Sequence, residues 1–122
     1  MPEPARRFPT SVFGVGEEPD ARFSLANERT FLAWISVGLA VLSVGVGVDA
    51  LASGLHPVFG KAASVVLIVA GIACPVQAWV GWTRVERALR TGRPLPAPWL
   101  SPWLAVALGL AGVLVLLGVL IP

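Results

Sequence analysis

Charge is scarce in this chain: only 13% of its 122 residues are Asp, Glu, Lys or Arg, against roughly 25% in a soluble domain. Nine basic and seven acidic side chains cannot cover a water-soluble surface when 56% of the residues are hydrophobic and mean hydropathy is +0.79. The single cysteine, Cys74, excludes an intrachain disulfide; it lies inside an apolar run, where it reads as a small packing residue. The single histidine, His56, sits in a proline-containing turn with no cysteine or carboxylate at ligand spacing, so no metal site is expected. Also missing are a nucleophile beside a base, paired carboxylates and a glycine-rich phosphate loop, because the glycines are scattered through apolar stretches. Neither enzymatic activity nor a cofactor is expected. The net charge of +2 and pI near 9.5 would admit nucleic acid. However, Arg84, Arg87, Arg90 and Arg93 cluster between two apolar runs, and no basic face is interleaved with stacking aromatics, so nucleic-acid binding is not expected.

Three apolar runs are present. Phe31 to Val48 carries no charge and extends past Asp49 to Leu55, Ala62 to Thr83 forms a second, and the third lies within Pro94 to Pro122. Each is long enough to cross a hydrocarbon core of roughly 30 Å as a helix. The first lacks the basic start, short apolar stretch and small-residue cleavage site of a signal peptide, so it is expected to be retained. The expected fold is an all-α integral membrane bundle of three helices, with a membrane domain over 20–122 and spans near 30–54, 62–83 and 102–121. Asp20 or Ser24 can cap the first helix, and Gly54 to Gly60, containing His56-Pro57, forms a turn that makes the first two helices antiparallel neighbours. Ser101-Pro102 opens the third span as N-cap and first helical residue, after a proline-broken basic loop over 84–101. Residues 1–19, rich in Pro, Gly and charge, are expected to be a mobile tail.

Basic residues set the orientation. Arg22 and Arg29 flank the first run and four arginines fill the second loop, whereas the first loop has only Lys61, so the N-terminus and loop 84–101 are expected to be cytoplasmic and the C-terminus outside. Trp34, Trp79, Trp82, Trp99 and Trp103 all fall near the cytoplasmic ends of their spans, as an interfacial belt would. The expected location is the cell membrane, with the lipid bilayer as solvent.

Steps of four and three along the first helix visit Arg22, Ala26, Arg29, Ala33, Ser36, Ala40, Ser43, Gly47, Ala50 and Gly54, one face of small residues and arginine. Such a stripe lets helices approach closely in lipid, where no hydrophobic force separates helix from tail. The second helix repeats the pattern through Ala63, Leu67, Ala70, Cys74, Gln77, Gly81, Arg84 and Ala88. Packed through these faces, Arg29 and Arg84 would lie close together with Glu28, Glu86, water or an anion between them. Two alternatives stand: an anion-binding mouth that includes Arg22, Arg29 and Arg84, or arginines that reach lipid phosphates and anchor helix ends. Glu86 and Arg90 are spaced as an ordinary surface pair, and Asp49 and Lys61 as a pair across the turn.

The stretch RFSLANERTFLAW, Arg22 to Trp34, closely resembles the first-helix signature of the YidH family, the bacterial domain of unknown function 202. Val85 to Pro96, VERALRTGRPLP, is similar to that family's second loop. The family often continues with Arg-Thr where this chain has Ser36-Val37, so one polar position is missing. The same domain resembles the small three-helix subunit of the eukaryotic vacuolar transporter chaperone, a polyphosphate polymerase complex. That resemblance implies a polyanion path lined by Arg29 and Arg84 with Glu28 as a partner, and phosphate or polyphosphate as ligand. Without polymerase or phosphate-sensing domains, the chain is not expected to make polyphosphate alone. The leading expectation is therefore a non-enzymatic subunit in a homo-oligomer or a hetero-complex with another membrane protein, packed through the small stripe. An anion or polyphosphate-type conduit follows. A multidrug-type exporter ranks last, because its embedded acid could only be Asp49, near the outer edge.

Overall fold

The computed structural model describes residues 7–122, which are helical and turn structure with no strand among them. Helix α1 is a single turn, Thr10–Phe13; α2 spans Ala21–Ala50, α3 Pro57–Thr91 and α4 Leu100–Leu120. The last three are each long and apolar enough to cross a membrane.

Helix starts follow local chemistry. Asp20 caps α2, its carboxylate accepting from the Arg22 backbone N–H at 2.9 Å. A short 3₁₀ turn, Ala52–Gly54, leads to α3, where the His56 ring nitrogen Nδ1 accepts from the Val58 N–H at 3.3 Å and Pro57 supplies the first helical residue. Proline there has a fixed φ suited to a helix and lacks only a donor that would be orphaned anyway. The second membrane helix consequently starts before Ala62, and Gly60 is buried within it rather than in the expected turn. Across that turn Lys61 Nζ reaches Asp49 Oδ1 at 2.9 Å, and the His56 N–H donates to the Gly118 carbonyl at 3.0 Å, tying the turn to α4.

Two expectations at the other end are corrected. Residues 84–91 are not loop: α3 runs on to Thr91 and stops at Gly92, whose φ of 69° is the left-handed conformation that ends helices. Hydropathy falls at Thr83, but Glu86 is buried against α2 and Arg90 against the N-terminal segment, so contacts distant in sequence extend the helix. Ser101 is not the cap of the third span either. Trp99 occupies that position without a side-chain bond, and Ser101-Pro102 lies inside the first turn, where a proline removes no intrahelical hydrogen bond.

Helix α3 is central, packed by α2 and α4, which hardly meet each other. Val41, Leu67, Ala70 and Ala111 form the shared core. Along the α2–α3 seam, backbones approach where side chains are absent. A Cβ added at Gly38 would lie 2.7 Å from the Cys74 Cβ, and one at Gly71 2.6 Å from Leu42 Cγ. The Ser64 hydroxyl, buried, donates to the Gly45 carbonyl at 2.9 Å.

Candidate functional site

The buried face of α2 is built on Asn27, Gly38, Val41 and Gly45. Ala33, Ser36, Ala40 and Ser43 are exposed, and nothing among the described residues lies within 4 Å of a Cβ added at Gly47. The small stripe of α2 therefore does not pack against α3 within the chain, contrary to the sequence expectation. Both faces hold small residues, but only glycine at Gly38 and Gly45 permits the observed approach; alanine keeps a Cβ. On α3 the expected face is the one used: Ala70, Cys74 and Gln77 are buried.

This rotation separates the arginines. Arg29 follows Asn27 by two residues, about 200° around a helix of 3.6 residues per turn, and is exposed on the outer face. Arg84 is exposed beside a cavity that Arg29 does not line. Arg22 turns back onto its own cap, 3.0 Å from Asp20 Oδ2. Glu28 borders a shallow hollow beside Phe31, Trp79 and Trp82. Among the described residues, Arg29, Arg84, Arg87 and Arg93 have no carboxylate within 4.0 Å.

Glu86 is 3% exposed and is no surface partner of Arg90. Its carboxylate accepts from Asn27 Nδ2 and the Ser24 hydroxyl, each at 3.3 Å, while Asn27 Nδ2 also donates to the Trp82 carbonyl at 3.0 Å. Thus the Asn of LANERT and the Glu of VER form one buried joint between α2 and α3. Sequence reasoning missed Asn27; an amide seven residues before Trp34, on the same helix face, was its signal.

Arg90 has a different task. Its guanidinium donates to the Val15 and Phe13 carbonyls at 2.8 and 3.0 Å and to Glu18 at 3.3 Å, and Arg87 donates to the Ser11 carbonyl. Residues 7–18 are thereby strapped along the end of α3, with Val12 fully buried and Phe13 5.9 Å from the Trp82 ring. The expected mobile tail is replaced over this segment by a docked one; the remainder of that expectation, residues 1–6, lies outside the described residues. Gly16, at φ 62°, lets the strap lie on the Arg90 carbonyl, which a Cβ would strike at 2.0 Å. Hydrogen bonding from Arg7, then from Arg90, holds the Glu18 carboxyl below its ordinary range.

A cavity of about 80 Å³ opens at this end between α2, α3 and the segment before α4. Trp34, Trp82 and Trp99 contribute to its walls, gathering three of the expected belt tryptophans. Asn27, Thr30, Gln77 and Arg84 supply its polar lining. Gln77 is 2% exposed, yet its Oε1 has no hydrogen-bond partner among the described residues. Gly81 makes room for that amide, since a Cβ there would fall 2.6 Å from Gln77 Nε2. Arg84 also borders an adjoining groove with Arg87, Thr91 and Arg93. Among the described residues no group of three His, Cys, Asp or Glu side chains could hold a metal ion.

Residues 22–88 match the family described as Domain of unknown function (DUF202), a span that includes the Asn27–Glu86 joint, Gln77 and Arg84. The chain is 43% identical over 83 residues to the inner membrane protein YidH of Escherichia coli K12, covering 67% of this chain and 72% of that protein. It is 39% identical over 100 residues to an uncharacterized protein of Mycobacterium tuberculosis H37Rv, covering 81% and 82% of the two chains. No solved structure matches. Three membrane-crossing helices and this likeness make the chain a multi-pass inner-membrane protein, and it belongs to the DUF202, or YidH, family.

Proposed function

We propose that this protein is a non-enzymatic membrane subunit that self-associates through the small face of α2, with its arginine-rich end in the cytoplasm. The observation that carries the reading is the face from Ala33 to Gly47: it runs the length of a membrane helix, and none of the described residues covers it. In lipid, faces of Gly, Ala and Ser associate by close backbone contact and hydrogen bonding. Ser36 and Ser43 on that face would meet their counterparts in a second copy. The clustering of Arg84, Arg87, Arg90 and Arg93 at one end supports the orientation.

Self-association predicts a defined oligomer by native mass measurement in nanodiscs, which Ala40→Leu and Gly47→Leu each convert to monomer. A monomeric wild type, or an unchanged mass in both variants, overturns it.

A second reading gives the oligomer a polyanion of the phosphate or polyphosphate type as ligand, held by Arg29 and Arg84. Neither arginine has a carboxylate within 4.0 Å among the described residues, which favours it. Because Arg29 lies on the proposed association face, a neighbouring copy would bring further arginines toward it. Polyphosphate should then bind wild-type oligomer and fail to bind Arg29→Ala; equal binding by both contradicts this.

A further inference from the structure

Gln77 presents a problem that the assembly reading does not solve. It is buried on a membrane-spanning helix, and its Oε1 has no hydrogen-bond partner among the described residues, which leaves a costly unpaired acceptor. It also lines a cavity that opens at the arginine-rich end. Gln77 and Arg84 stand two turns apart on α3, about 10 Å along its axis. One ligand can thus meet a cation outside and an acceptor inside.

The lining restricts the chemistry of that ligand. Arg84, together with Arg87 and Arg93 in the adjoining groove, calls for an anion at the mouth. The Oε1 atom calls for a hydrogen-bond donor, and Thr30 and Asn27 line the same cavity. A simple anion chain offers acceptors only; a phosphate ester carrying free hydroxyls offers both. The site lies toward the arginine-rich end of α2 and α3, and Trp34, Trp82 and Trp99 line it, as side chains near a membrane interface do.

We propose that the cavity binds a polyol phosphate, a phosphate on Arg84 with a hydroxyl donating to Gln77 Oε1, as in the headgroup of phosphatidylglycerol or in free glycerol phosphate. This rests on the anion reading at Arg84 and is independent of oligomer formation. Unlike a snorkelling anchor, it makes the headgroup hydroxyls matter as well as the charge.

Native mass spectrometry of the full chain in detergent, titrated with phosphatidylglycerol, phosphatidylcholine or glycerol 3-phosphate, tests it. Wild type should retain phosphatidylglycerol in preference to phosphatidylcholine. Gln77→Leu and Arg84→Gln should each lower that retention about fivefold to tenfold, the scale of one lost hydrogen bond. Lys61→Gln, at the opposite end, should leave it unchanged. Arg84-dependent and Gln77-dependent binding of glycerol 3-phosphate, with no phosphatidylglycerol retained, supports the same chemistry with a soluble source. If Arg84→Gln lowers retention and Gln77→Leu does not, the polyol assignment falls while the anion reading stands. If neither variant alters binding of any probe, both fall. Arg84 is exposed, so its variant separates loss of binding from loss of fold.

Discussion

Two glycines on α2, Gly38 and Gly47, show how position decides a residue's work. A methyl at Gly38 would strike the Cys74 Cβ at 2.7 Å, whereas one at Gly47 meets nothing. Overpacking of this kind costs about 1–3 kcal/mol, so Gly38→Ala should lower the melting temperature in detergent while Gly47→Ala should not. Equal melting of the two variants would contradict the assigned seam. Asn27 offers a second test at this scale. Interhelical hydrogen bonds in membranes average about 0.6 kcal/mol, but Asn27→Ala also strips a donor from a buried carboxylate and from the Trp82 carbonyl. The larger cost of leaving buried groups unsatisfied, about 1–3 kcal/mol, should therefore apply, and Glu86→Gln in the Asn27→Ala background should recover part of it by thermal melting. The residues of α3 were legible in the sequence because its apolar and small positions fall on one stripe. Those of α2 were not, because two faces carry small residues and only the partner's shape distinguishes Gly38 from Ala40.

Helices α2, α3 and α4 could be read from apolar run length, and the cap at Asp20 from its residue type. The final turns of α3 could not. They depend on the strap, whose Val12 and Phe13 cover that end and whose carbonyls accept from Arg87 and Arg90. Local patterning shows arginines among prolines and glycines and gives no notice that a segment from the start of the chain lies over them. The strap should be sensitive to acid. Because Arg7 and Arg90 lower the Glu18 pKa below its ordinary value of 4.5, the carboxylate stabilises docking at pH values above that value. That contribution is lost as the pH falls through the lowered value in the docked state. Protection of residues 7–18 against hydrogen exchange, taken relative to the intrinsic rate at each pH, should be high at neutral pH, fall below pH 4.5, and be reduced at neutral pH in Glu18→Gln. An exchange rate in Glu18→Gln equal to that of wild type at pH 7 would remove Glu18 from the latch.

For the molecule as a whole, α2 has two faces with separate duties. One, through Gly38, Val41 and Gly45, closes on α3; the other, through Ala33, Ser36, Ala40, Ser43 and Gly47, is left open. On the proposed reading, the glycine seam holds the internal fold together and the alanine and serine face carries assembly. Disulfide cross-linking in native membranes tests that division most directly. Cys74 is fully buried and should stay silent. Oxidation should convert Ser43→Cys to a covalent dimer while Val41→Cys stays monomeric. The reverse pattern, or no dimer from Ser43→Cys, would contradict the account.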